Sequence, residues 1–305
     1  MEKISGFSLI RNGLKFDYPF LESWRSLLPL VDELVLNVGE GDDETLIQAE
    51  KFASEEGQGK VKIFTSVWPL NDPEKKRSGL ILAEQTNLAL ERCKHEWCFY
   101  LQADEVLHEV DVPLIRKAVE TAANNPIVEA IVFQYRHFYG SFNVIQETRS
   151  AYRREMRLIR KSSRALSVGD AQSFRKPNGQ KLKALLSSAR IFHYGWVRTP
   201  DAMKEKTVFM DQLYHGEQKL GISEPHSGSN YLYKRFWGLK PYRGTHPGVM
   251  TSRIREKGWD WNLKESPFTF ELKDLKKIAM DFFEKLTGYR PFEFKNYEIC
   301  GNVEP

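Results

Sequence analysis

Cysteine is scarce in this chain: Cys93, Cys98 and Cys300 are the three in 305 residues. So sparse and odd a set excludes a disulfide framework and is expected of reduced thiols in a cytoplasm-like compartment. Cys93 and Cys98 bracket His95, but the spacing fits no common zinc pattern and no second pair follows, so buried thiols are the expectation. Long apolar runs are missing as well, and none approaches the roughly 18–20 residues of a membrane span. The opening MEKISGFSLIRNG has neither the continuous apolar stretch nor the small-residue cleavage site of a signal peptide. Nor does one sign of charge prevail. The 45 Lys+Arg stand against 41 Asp+Glu, a formal +4, and the two signs are mixed along the chain. A nucleic-acid binder concentrates its bases in a stripe, so no nucleic-acid partner is expected.

What is present suits a folded protein. Hydrophobic residues make up 41% and charged residues 28%, which excludes disorder as the main state. The length suggests about two domains, or one large core with an appendage. Over the first 135 residues short β-rich apolar segments alternate with helical periodicity. Strands are expected at Ile4–Ile10, Glu33–Val38, Val61–Val67, Trp97–Leu101 and Val128–Tyr135. Helices are expected around Phe20–Leu28, Leu46–Ala53, Leu80–Arg92 and Val112–Ala123. This alternation predicts an α/β fold with a mainly parallel central sheet flanked by helices. From about Gly140 the pattern loosens. Strands are read at Arg153–Lys161 and Arg190–Trp196, a helix from Pro200 capped by Thr199, and a loop-like stretch over Gly221–Trp261. Leu272, Leu275, Ile278, Phe282 and Leu286 recur at helical spacing and predict a packing face on a last helix, Glu271–Leu286; its lysines allow a second reading, a helix lying on a membrane surface. Residues 1–198 are read as a catalytic unit, and 199–305 as a helical, irregular extension packed on it.

Chemistry concentrates at Cys98–Glu109, CFYLQADEVLHE. A buried strand ends in a Gln-Ala-Asp-Glu cluster, and ligands of open α/β sheets bind at that carboxyl end. Oxygen ligands gathered there suit a hard divalent cation, Mg²⁺ or Mn²⁺. Capping of the next element is the plainer role for Asp104 and Glu105.

The arrangement resembles the family 2 glycosyltransferases of the GT-A fold, most closely a bacterial branch with QADE where Asp-x-Asp-Glu is usual. Four features carry the likeness over roughly residues 1–200: Gln102-Ala103-Asp104-Glu105, Arg11-Asn12 after the first strand, ELVLN leading into GEGDDET, and Asn87 in AEQTNLAL. The resemblance implies a nucleoside-diphosphate donor, UDP- or GDP-linked, and a saccharide or glycolipid acceptor. Transfer would be inverting and metal-dependent, in surface polysaccharide or lipopolysaccharide synthesis, in the cytoplasm or peripherally at the inner face of the membrane. It places Asp104 on the metal, Gln102 on the ribose or donor sugar, and Asn37 on the nucleobase. Arg11, Asn12 and Asn87 join the donor site, and His193 in RIFHYGW completes the metal site with Mn²⁺ or Mg²⁺. An inverting displacement needs a base for the acceptor hydroxyl. Asp170 in SVGDAQSF, beside the turn-marking Gly169, is the first candidate, with Glu147 and Glu155 behind it. Tyr194, Trp196, Trp237, Tyr242 and Trp261 offer faces for sugar rings or fill a core. Two alternatives stay open. One is a non-catalytic saccharide-binding protein on the same fold, suggested by Gln102 in place of a carboxylate. The other is a methyltransferase, suggested faintly by NVGEG.

Overall fold

Every residue of Glu33–Gly39 and of Trp97–Tyr100 is buried, so these strands have no face for water and must lie inside a sheet covered on both sides. The computed structural model, which describes residues 2–215 and 231–303, builds that sheet. In chain order the elements are β1 (Ile4–Ile10), α1 (Phe20–Leu27), β2 (Glu33–Gly39), α2 (Thr45–Glu55), β3 (Val61–Ser66), α3 (Leu80–Arg92), β4 (Trp97–Tyr100), β5 (Glu105–Leu107), α4 (Val112–Ala123), β6 (Ala130–Tyr139), β7 (Ser141–Gln146) and β8 (Arg154–Arg160). They continue as β9 (Leu166–Val168), β10 (Ser173–Arg175), β11 (Leu182–Trp196), α5 (Pro200–His215), β12 (Leu239–Pro241), α6 (Thr251–Glu256), α7 (Leu272–Thr287) and β13 (Tyr297–Val303).

Strands β3, β2, β1 and β4 pair parallel in that order. Beyond β4 antiparallel pairs enter: β8 runs against β4, and β6 runs against both β8 and β7. The long β11 pairs parallel with β6 and β13 and antiparallel with β5. Side chains alternate across the pleat. Leu34, Leu36 and Phe99 enter a core with Trp24, Phe52 and Ile115 of α1, α2 and α4. Val35, Cys98 and Tyr100 enter a second core, with Ala89 and Leu90 of α3. The chain is thus α/β, with helices on both faces of a mainly parallel sheet.

The N-terminal strands and helices fall where periodicity puts them, and Thr199 caps α5, its hydroxyl accepting the Ala202 N–H at 3.3 Å. The C-terminal half holds more sheet than its pattern shows. Strand β11 starts at Leu182, well before the expected Arg190, and β12 and β13 bring strands from the 199–305 stretch to the same sheet. Part of the expected Gly221–Trp261 loop, residues 221–230, lies outside the described residues. Helix α7 turns against expectation. Its carboxylates face the protein, Glu284 on Arg149 and Arg153 at 3.2 and 3.1 Å, and Leu272, Phe282 and Leu286 are exposed. Ion pairs with two arginines between β7 and β8 claim the acidic side, so the apolar stripe is not the packing face.

Candidate functional site

The apolar run of β4 ends at Tyr100, and Leu101 still pairs its N–H with the Phe7 carbonyl at 3.1 Å. The chain then turns: the Glu105 N–H returns to the Gln102 carbonyl at 2.9 Å, which sets Asp104 at the carboxyl end of the parallel strands. Strand β5 leaves this turn and pairs with β11 so that Glu105 is in register with His193. The Tyr194 N–H donates to the Asp104 carbonyl at 2.8 Å. Backbone register therefore brings His193 beside Asp104 across 89 positions of sequence, with Nε2 3.7 Å from Oδ1. Gly195 makes the approach possible. A Cβ there would lie 2.5 Å from the His193 ring and 3.1 Å from Asp104 Oδ2.

Glu105, by contrast, points away from the cavity. It and Arg157 are both 0% exposed and form a two-pronged ion pair with both contacts at 2.8 Å. The Glu105 carboxylate also accepts the Tyr135 hydroxyl at 2.8 Å and the Gln102 N–H at 3.1 Å. Arg157 donates onward to the Gln172 carbonyl at 2.7 Å. One buried pair thus ties the Gln102–Glu105 turn to the Asp170–Gln172 turn.

Two cations that the sequence reading did not single out complete the centre. Lys206 of α5 lies 3.3 Å from Asp104 Oδ2 and donates to the Gly195 carbonyl at 2.9 Å. Arg198, fully buried, lies 3.5 Å from the same oxygen and donates to the Phe16 carbonyl at 2.7 Å. Burial alone would raise the Asp104 carboxyl, but the charges of Lys206 and Arg198 hold it well below the usual carboxylate range. Burial, then the charge of Arg198, pushes Lys206 down to about 7 against the pull of Asp104.

A hydrogen-bond chain fixes the imidazole. His137, in register with His193 on β6, contacts the Tyr152 carbonyl through Nε2 at 2.6 Å and His193 Nδ1 through its own Nδ1 at 3.0 Å. A carbonyl can only accept, so His137 carries its proton on Nε2 and its Nδ1 accepts from His193. Burial and the neighbouring His193 push His137 down to about 3, which keeps it neutral. Burial also lowers His193. His193 then presents the lone pair of Nε2 toward Asp104.

Asp104, His193 and Lys206 line a cavity of about 500 Å³ with Arg11, Gln102, Asp170, Tyr18, Trp68 and Trp196, a size that suits a small organic ligand, and Arg198 lies buried behind Asp104. Of the residues expected in the site, the cavity gathers Arg11, Gln102, Asp104, Asp170 and His193. Arg11 lies over Phe209 and donates to the Glu40 carbonyl at 2.7 Å. The Gln102 amide donates to the Ala171 carbonyl at 3.3 Å. Asp170 stands in the β9–β10 turn after Gly169 (φ +60°) and accepts the Tyr214 hydroxyl at 2.9 Å.

Asn12, Asn37 and Asn87 do not line this cavity. Asn37 is buried, tied to Gln85 at 2.9 Å and Ser66 at 2.6 Å. Asn87 pairs with the Ser167 backbone at 2.8 and 3.1 Å. Asn12 grips Asp42 with both ends of its amide. Glu155 is buried among Ser173, Gln172 and Asn296, and Glu147 pairs with Lys240 at 2.5 Å. A second cavity, of about 520 Å³, shares Tyr152, His193 and Trp196 with the first and adds Tyr139, Trp237 and Lys234. Cys93 and Cys98 are buried thiols on backbone carbonyls.

No protein-family model and no curated protein sequence matches the chain. Among solved structures it is similar to TarS of S. aureus, at 12% identity over 68% of this chain and 39% of that one, with a TM-score of 0.38. It is similar to GalNAc-T7, crystallised with UDP, GalNAc and Mn²⁺, at 12% identity over 64% and 44%, TM-score 0.41. It is also similar to glucosyl-3-phosphoglycerate synthase from Mycobacterium tuberculosis, in complex with Mn²⁺, UDP and phosphoglyceric acid, at 14% identity over 45% and 43%, TM-score 0.30. The chain spans 39% of the TarS chain and 65% of its 1–349 form. Overlaps this loose assign no residue of the site.

Proposed function

We propose that the cavity binds a nucleoside-diphosphate sugar and that the protein transfers the sugar to an acceptor hydroxyl, as a GT-A-type glycosyltransferase. The observation that carries this reading is the convergence of Asp104, His193 and Lys206 at the carboxyl end of the parallel strands, in one cavity with Asp170 and with Arg198 buried behind the carboxylate. Lys206 and Arg11 meet the diphosphate with positive charge in a site of reduced dielectric, where such charge stabilises a leaving group most. The indole N–H of Trp68, buried and without a partner among the described residues, offers a donor to the nucleoside. Asp170 takes the acceptor proton in a direct displacement that inverts the sugar centre, and Trp196, shared by both cavities, stacks on a sugar ring.

The residues also fit a divalent cation, Mn²⁺ or Mg²⁺. The Asp104 carboxylate and the Nε2 lone pair of His193 converge, and small hard cations usually take remaining ligands from substrate phosphates and water. The described residues hold no group of three or more His, Cys, Asp or Glu side chains able to bind an ion without them. When bound, the ion supplies Lewis-acid neutralisation of the leaving diphosphate. Lys206 lies 3.3 Å from the same carboxylate and would share it with the ion.

A thermal-shift panel of UDP-, GDP- and dTDP-sugars with Mn²⁺ tests the reading, because a ligand of the native state raises its apparent stability. A shift with one donor, lost in Asp104→Ala, supports it. No shift with any donor removes it. A shift without sugar transfer or donor hydrolysis moves the protein to a non-catalytic binder.

A further inference from the structure

The second cavity, of about 520 Å³, has two kinds of lining. One is aromatic. Tyr139 meets the Phe236 ring at 5.1 Å and the Trp196 ring at 6.2 Å, and Trp196 and Trp237 are each 41% exposed. The other is acidic and comes from α7 and the residue before it: Glu271, Asp274 and Asp281. Glu271 and Asp274 are used in the capping box, and Asp274 also pairs with Lys277 at 3.1 Å. Asp281 differs. It is 9% exposed, and its Oδ2 accepts the Trp237 indole N–H at 3.2 Å. Among the described residues no ion pair reaches it. Burial raises its carboxyl, and neither the Trp237 hydrogen bond nor the charges of Arg149 and Arg290 undo that. Lys285, 6.0 Å over the Trp237 ring, lines another cavity, of about 250 Å³, that Asp281 also borders.

We propose that the second cavity is the acceptor subsite and that the acceptor carries a protonated amine, held by Asp281 among the aromatic rings. A carboxylate kept from water without a counter-charge is costly, and an ammonium supplies the missing charge. The faces of Trp and Phe rings attract the same cation through their quadrupole. A neutral hydroxyl would suit the rings equally but would leave the carboxylate uncompensated, and an anionic ligand would be repelled by it. The balance of the lining agrees. Three carboxylates face two lysines, Lys234 and Lys277, while burial lowers both His137 and His193 and so disfavours their charged forms. Tyr152, His193 and Trp196 line both cavities, so a ligand seated on Asp281 borders the cavity assigned to the donor. Its role as acceptor rests on the transferase reading; the binding of an amine does not.

The test is calorimetry of the full chain at neutral pH with two probes of one shape: chitobiose, and the glucosamine disaccharide left when its acetyl groups are removed. The free-amine sugar is expected to bind about 10- to 100-fold more tightly, the value of a hydrogen bond to a charged group. Asp281→Asn keeps an acceptor for the Trp237 N–H and should abolish that preference. Phe236→Leu keeps apolar bulk, removes a ring face and should weaken the amine sugar about two- to fivefold. Circular dichroism checks that both variants fold. Equal affinity for the two sugars, no binding of either, or a preference that survives Asp281→Asn overturns the proposal. Amine-dependent binding by a chain that binds no nucleotide sugar keeps the amine site and removes the transferase reading. Sugar transfer to neutral acceptors alone keeps the transferase reading and removes the amine site.

Discussion

Asp104 and Glu105 are neighbours in sequence with the same chemistry, and the structure gives them opposite fates under the same substitution. Glu105→Gln keeps shape and one carbonyl oxygen but leaves the Arg157 guanidinium buried without a counter-charge. Arg157 cannot shed its proton and, at 0% exposure, cannot reach water. Removing one partner of such a pair costs about 3–5 kcal/mol. For a chain of this size about 2–4 °C of melting temperature is lost per kcal/mol, so the midpoint should fall by about 6–20 °C. Asp104→Asn meets a softer surrounding. Lys206 is a long chain that lines the cavity and is pushed down to about 7, and Arg198 meets Asp104 through one contact at 3.5 Å where Arg157 has two at 2.8 Å on Glu105. Its loss of stability should be about 1–2 kcal/mol, near that of an ordinary point change, while donor binding disappears.

Thermal and urea denaturation of the two variants, read beside nucleotide-sugar calorimetry, separate these outcomes. A third variant sharpens the test. Glu105→Gln combined with Arg157→Met removes both charges, and most of the lost stability should return, because the largest cost is the orphaned charge and not the missing contact. If Glu105→Gln melts within about 2 °C of the wild type, against the several degrees such an orphaned charge implies, the pair does not hold the two turns of the cavity. If the double variant is no better than the single one, the cost lies in the Tyr135 and Gln102 hydrogen bonds.

Lys206→Ala should weaken nucleoside-diphosphate binding about 10- to 100-fold, the value of a hydrogen bond to a charged group, and Lys206→Arg should recover part of it in calorimetry; unchanged affinity would take Lys206 off the diphosphate. Asp170→Asn should keep donor binding and slow transfer about 10²- to 10⁴-fold, the usual share of a general base; a wild-type turnover rate would place the base elsewhere. Burial of His246, whose Nδ1 meets the Tyr194 hydroxyl at 2.8 Å, lowers it to about 4 from 6.5. The unfolded chain therefore binds the extra proton first, and the stability this group contributes is complete above pH 6.5 and lost as pH falls toward 4. A melting series over that range should show a drop that is smaller in His246→Asn, and parallel curves for the two proteins would contradict it.

The parallel half of the sheet is legible in the sequence because β1, β2 and β4 are buried on both faces and read as short runs rich in apolar residues between helical periods. The end of such a run is also where a polar cluster stands out, which is why Asp104 can be found without a structure. His193 was named from a resemblance, and the strand that carries it was read eight residues short, from Arg190. Its meeting with Asp104 depends on the register of β5 against β11, which no local pattern encodes. Arg198 and Lys206 had no signal at all. One follows a strand and the other sits among the lysines of a helix, and only the packing of α5 over the turn gives them a common carboxylate.

The same limit explains the asparagines and α7. An amide at a strand end can read a ligand or satisfy its neighbours, and Asn37 and Asn87 spend theirs on Gln85, Ser66 and Ser167. A helical period of apolar residues shows that a helix has two faces, and hydrophobicity favours the apolar one as the buried one. It does not show what waits on the protein surface. On α7 the answer lies more than 130 positions earlier in the chain, where Arg149 and Arg153 offer charges that Glu284 can pair with and that leucine cannot. The ion pairs alone would be weak reason to invert a helix, since partly exposed pairs contribute little. On α7 Glu284 meets Arg149, Arg153 and Arg290 together, and a network of charges holds where a single pair does not.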